Sequence, residues 1–74
     1  MDDVIVEALG AIERRDLTVL QALLHPYLHW SDGEVRLRGR VNVLAHLATH
    51  PVAEPPAAYE LRDGQIYRWT TEAE

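Results

Sequence analysis

Asp32, His29 and a set of strand aromatics are the side chains whose types could do chemistry in this sequence. Alternation through Leu28, Trp30 and Asp32 sets the Asp32 carboxylate on one strand face with an indole, and an apolar neighbour makes a carboxylate a better proton acceptor. The opposing account is local: Asp before Gly33 is a common hairpin pair, and a turn aspartate bonds its own backbone. His29, on the other face of the same strand, becomes a base directed at the interior if the strand register shifts by one residue. Trp30, Tyr59, Tyr67 and Trp69 suit the wall of an apolar ligand pocket, although aromatics on a sheet face are more often core or subunit contact.

The remaining chemical candidates are weaker. His46 and His50 stand at i, i+4, a spacing that places two imidazoles on one metal ion. Leu47, however, occupies the position where a zinc protease has its glutamate, and no third ligand is evident. Imidazoles at a helix end also suit the negative end of its dipole. Pro26 breaks any helix between His25 and His29. Ser31 is the only serine and lacks an elbow of glycines, cysteine is absent, and no glycine-rich loop offers to cradle a phosphate. Neither a metal nor a cofactor is expected.

Positioning these residues falls to elements that the apolar periodicity marks out. Asp2 and Asp3 precede Val4, Ile5, Ala8, Leu9 and Ile12, a stripe with acids at the positive end of a dipole, which predicts a helix over residues 3 to 15. Asp16 then caps a second helix carrying Leu17, Leu20, Leu23 and Leu24. It should stop near His25, because Pro26 removes a donor and pushes His25 from the helical region. From Tyr27 the period becomes two. Asp32-Gly33 marks a turn, and Val35 and Leu37 alternate with Arg36 and Arg38 to complete a first hairpin. After Gly39, Val41, Leu44, Leu47 and Ala48 form a third helical stripe that ends at His50-Pro51. Residues 51 to 56, with three prolines, read as a loop. Tyr59 and Leu61 lead to the Asp63-Gly64 turn, and Gln65 to Thr71 returns as a second hairpin before an acidic, frayed tail, Glu72 to Glu74. The predicted class is α+β, a single domain over residues 1 to 74.

Composition narrows the function classes. The chain has 74 residues, 47% of them hydrophobic, and a formal charge of −5. Seven arginines are scattered along it without a lysine, so nucleic-acid binding is disfavoured. The apolar runs are only a few residues long and no charged-then-apolar leader opens the chain, which disfavours a membrane span or secretion and leaves the cytoplasm as the expected compartment. At this size the gain from burial and the cost of ordering nearly cancel, and no disulfide supplies a margin. A homodimer is expected on that ground.

The element order and several motifs resemble the nuclear transport factor 2-like superfamily in its SnoaL-like and ketosteroid-isomerase-like branch. Ala11 to Leu24 (AIERRDLTVLQALL) is similar to that branch's opening helix pair, and His25 to Ser31 (HPYLHWS) to the strand after it. Leu37-Arg38-Gly39-Arg40, leading into Val43 to Leu47, resembles the approach to its third helix, and Tyr59 to Trp69 (YELRDGQIYRW) its central hairpin. The resemblance implies a curved, cone-like antiparallel sheet, here truncated, since family members continue into two further long strands. It also implies a small apolar or polyketide-like ligand, and a proton-moving carboxylate at the position of Asp32. The tyrosine that stabilises an enolate in the isomerase-like members is matched here by Ala8, so isomerase chemistry would need Tyr59, Tyr67 or a partner residue instead. Without the later strands, an open edge and an uncovered apolar face are expected, to be closed by a second copy. The competing expectation is a non-catalytic dimerisation or regulatory module.

Overall fold

Helix α1 (Asp3–Arg14) buries Ile5, Ala8 and Ile12 of the stripe expected of it together with Ala11, leaves Val4 and Leu9 half-buried, and ends where Arg15 turns left-handed with φ 58°. Asp16 then donates its N–H to the Ala11 carbonyl (2.8 Å) while its side chain accepts from the Val19 N–H (3.2 Å), so one residue closes α1 and caps α2 (Leu17–Leu23). These elements come from a computed structural model that describes residues 2–50 and 54–71. Part of the expected loop, 51–53, and the expected acidic tail, 72–74, lie outside the described residues.

Strand β1 (Leu24–Asp32) follows α2 without a loop. Leu24, expected in the helix, is extended at φ −97° and ψ 133°. The cause is Pro26, whose ring in a continued helix would strike the carbonyl of Ala22. That carbonyl instead accepts from the side-chain amide of Gln65 at 3.1 Å. Strand β2 (Val35–Arg38), helix α3 (Arg40–Thr49), and strands β3 (Ala58–Arg62) and β4 (Gln65–Thr70) complete the expected order.

The α+β class holds, and the sheet is mixed and open rather than antiparallel throughout, in the order β2-β1-β4-β3. Each hairpin is antiparallel, and the two join through a parallel β1/β4 pairing that sets Trp30 beside Trp69 and His29 beside Arg68. A hairpin carries its own turn signal, whereas a pairing between hairpins is decided by what packs across them, so local patterning is silent on it.

The helices cover one face of the sheet. Trp30 and Trp69 stack there at 4.8 Å between ring centroids, 10° from parallel, among Leu20, Leu28, Leu47 and Ile66. On α3 the buried residues are Val43 and Leu47, while Val41 is 77% exposed, so the expected stripe is rotated. Its seating explains this: the Gly39 N–H donates to the Leu28 carbonyl (2.9 Å), and the Asn42 side chain donates to the Arg38 carbonyl (2.8 Å). The accessible surface, 4790 Å², is near the roughly 4,600 Å² expected of a folded chain of this mass. No described helix is long and apolar enough to cross a membrane.

Leu20, fully buried between α2 and the sheet, sets a test of this packing. Leu20→Ala should cost about 2–5 kcal/mol in urea unfolding. Trp69→Phe should cost far less than Trp69→Ala, because it keeps most of the ring and removes an indole N–H that has no acceptor.

Candidate functional site

The six residues singled out from the sequence fall into three places. Trp30 and Trp69 are 1% and 0% exposed, and their stack fills the space between sheet and helices. Tyr59 also belongs to that side. Its hydroxyl donates to the Asp2 carboxylate at 2.9 Å and ties the start of α1 to β3. His29 and Tyr67 lie on the opposite, open face, and Asp32 stands at the end of β1.

A β-bulge separates Tyr67 from Trp69, which simple alternation would set on one face. Glu60 pairs with Arg68 and Leu61 with Ile66, so Tyr67 is the extra residue in β4. Ile66 and Trp69 therefore both point inward, and Tyr67 and Arg68 do not. Of the aromatics expected at a pocket wall or a subunit contact, Trp69 is thus already fully covered within its own chain, while Tyr67 stands on the other face.

The two Asp-Gly pairs play different parts. Asp63 and Gly64 are both left-handed, φ 54° and 78°, and form the two central residues between Arg62 and Gln65. Asp32 instead pairs in register with Val35, and the turn is Gly33-Glu34 with Gly33 at φ 62°. Asp32 is thus a strand residue. Its half-buried carboxylate accepts from the Thr71 hydroxyl at 3.0 Å, next to a bond from the Thr71 N–H to the Ser31 carbonyl at 3.0 Å. This arrangement pins the chain after β4 to the end of β1. Asp32 and His29 sit on opposite faces, so they do not form one acid–base pair.

The open face was expected to be apolar and is polar. Cross-strand register lines up Arg38, His29, Arg68 and Glu60 in one row, with Arg36 opposite Ser31 in the next. Tyr67 meets His25 (5.1 Å) and His29 (5.5 Å) in T-shaped contacts, and the Arg62 guanidinium lies 4.0 Å above its ring. Glu60 approaches Arg62 at 3.7 Å and Arg68 at 3.8 Å, with all three side chains about half exposed. Two shallow depressions share His29 and Arg38. One, about 380 Å³, is bordered by Tyr27 and Gly39, and the other, about 550 Å³, by Ser31, Arg36 and Arg68 among others.

The arginines are what sequence reasoning missed. Arg36 and Arg38 show their alternation plainly, but nothing local says that Arg68 comes beside them through the parallel pairing. His46 and His50 do stack, at 5.2 Å, and no cluster of three metal-ligating side chains occurs among the described residues. Comparison with protein-family models, with curated proteins and with solved structures finds no match for this chain.

A double-mutant cycle tests the placement of Asp32. Asp32→Asn, which keeps an acceptor, should leave stability within about 1 kcal/mol, while Asp32→Ala and Thr71→Ala should couple by about 1 kcal/mol or more. Additive losses would place the two side chains apart.

Proposed function

We propose that this chain is a small-molecule-binding module of the nuclear transport factor 2-like kind that receives its ligand on the open face of the sheet, without proton transfer by Asp32. The observation that carries this reading is the division between the faces. The Trp30–Trp69 stack occupies the interior where an apolar ligand was expected, whereas the two depressions lie together on the outer face around His29 and Arg38. The element order supports the family assignment. Separation of His29 from Asp32 supports binding over catalysis. The reading carries a cytoplasmic location with it.

Trp69 reports directly on which face is used, because it is fully interior and borders neither depression. On titration with benzyl alcohol and with phenyl phosphate, at least one probe should shift the ring resonances of His29 and Tyr67 in NMR spectra and leave those of Trp69 unchanged. A saturable shift at Trp69 without one at His29, or no binding of either probe at millimolar concentration, overturns the reading.

Self-association is a second reading, favoured by one observation: β2 and β3 end the sheet with no strand beyond them among the described residues. In a homodimer of this kind a second copy adds at a strand edge and leaves Trp69 where it is. Sedimentation should then show twice 8.4 kDa. A folded species of single mass at micromolar concentration removes this reading.

A further inference from the structure

We infer that the open face takes a small aromatic oxyanion, its charged group among Arg36, Arg38 and Arg68 and its ring against Tyr27. The inference rests on the open-face reading and adds the chemical class of the ligand. Its first support is the gathering of cations. The chain carries twelve acidic residues and seven arginines, yet Arg36, Arg38 and Arg68 border one depression with His29 and Ser31 between them. Arg38 and Arg68 flank His29 from the strands on either side, each about 5 Å from it and so about 10 Å from one another at the backbone, a gap that two arginine side chains can span to one bound group. Like charges collected in this way repel one another, and an oxyanion with several acceptor oxygens relieves that repulsion while using the guanidinium donors.

The donors are free to serve. Among the described residues no ion pair engages Arg36 or Arg38, and the one partner of Arg68, Glu60, is shared with Arg62. Tyr27 supplies the second half of the recognition. It is 74% exposed and borders the adjoining depression, where Gly39 adds no side chain beyond the backbone. A flat ring laid there would cover Tyr27 while its oxyanion reaches Arg38, which belongs to both depressions. Volumes of about 380 and 550 Å³ lie in the range of small-ligand sites.

Charge placement also favours a short anion over a polyanion. Glu60 ends the row beyond Arg68 and Glu34 lies in the turn beyond Arg36, so a longer phosphate chain laid across the strands or toward that turn would run onto an acid. The acids of α1, Asp3, Glu7 and Glu13, belong to the layer that covers the other face. The shortest extent of the molecule is 20 Å, against a screening length of about 8 Å at physiological salt. A compact ligand therefore responds to the arginines more than to the net charge.

The test is calorimetric titration of the intact protein with phenyl phosphate, benzyl alcohol and inorganic phosphate, with NMR locating the contacts. Phenyl phosphate should bind about tenfold tighter than either half-probe, and Arg38→Gln or Arg36→Gln should weaken it about tenfold. Arg14→Gln, on α1, should have no effect. Tyr27→Ala should reduce phenyl phosphate to the affinity of inorganic phosphate. Equal binding of benzyl alcohol and phenyl phosphate at His29 overturns the oxyanion class and leaves the open-face reading standing. Probe contacts confined to Trp30 and Trp69 overturn both. An oligonucleotide that binds more tightly as it lengthens overturns the small-ligand proposal in favour of a nucleic-acid surface.

Discussion

The stack of Trp30 on Trp69 is the interaction on which the remaining structure depends. It sits on the parallel β1/β4 pairing, where the two hairpins meet, and it is the largest apolar mass beneath the helices among the described residues. The cost is visible too. Neither indole N–H has an acceptor, and leaving a buried donor unpaired costs about 1–3 kcal/mol. Stacked, fully covered rings offset that loss through contact area and through the preference of aromatic pairs for close association. A polar route through this interior would have to open the stack, so recognition chemistry is displaced to the other side of the sheet.

The bulge at Tyr67 makes that division of labour workable. In strict alternation from Ile66, Arg68 would point under the helices and Trp69 outward, which would bury a guanidinium and strip the core of half its stack. One extra residue in β4 exchanges the two. The same step brings Tyr67 against His25 and His29 and leaves Arg68 in line with Arg38. A single local irregularity thus sets the composition of both faces.

Much of the architecture was legible in the sequence because its signals are local. The capping role of Asp16, the two turns and the alternation of Val35 and Leu37 with Arg36 and Arg38 all appear within a few residues of where they act. The candidate site was far less legible. Asp32-Gly33 and Asp63-Gly64 are the same dipeptide, yet only the second is a pair of central turn residues, and the difference depends on pairing register. The rotation of α3 depends on the Gly39 and Asn42 contacts, and the cationic row depends on three strands meeting. No window of sequence contains either.

The position of β4 has a consequence for how the molecule is made. It is the last of the described strands, and it lies inside the sheet between β1 and β3, not at an edge. Until β4 emerges from the ribosome, β1 has its hairpin partner on one side only, and Trp30 has nothing to stack upon. The chain cannot be assembled by adding finished layers in order of synthesis. Its central pairing closes late, across a sequence separation such as the 40 residues between Ser31 and Thr71, which is the kind of contact that slows folding and leaves an apolar strand edge exposed while it waits.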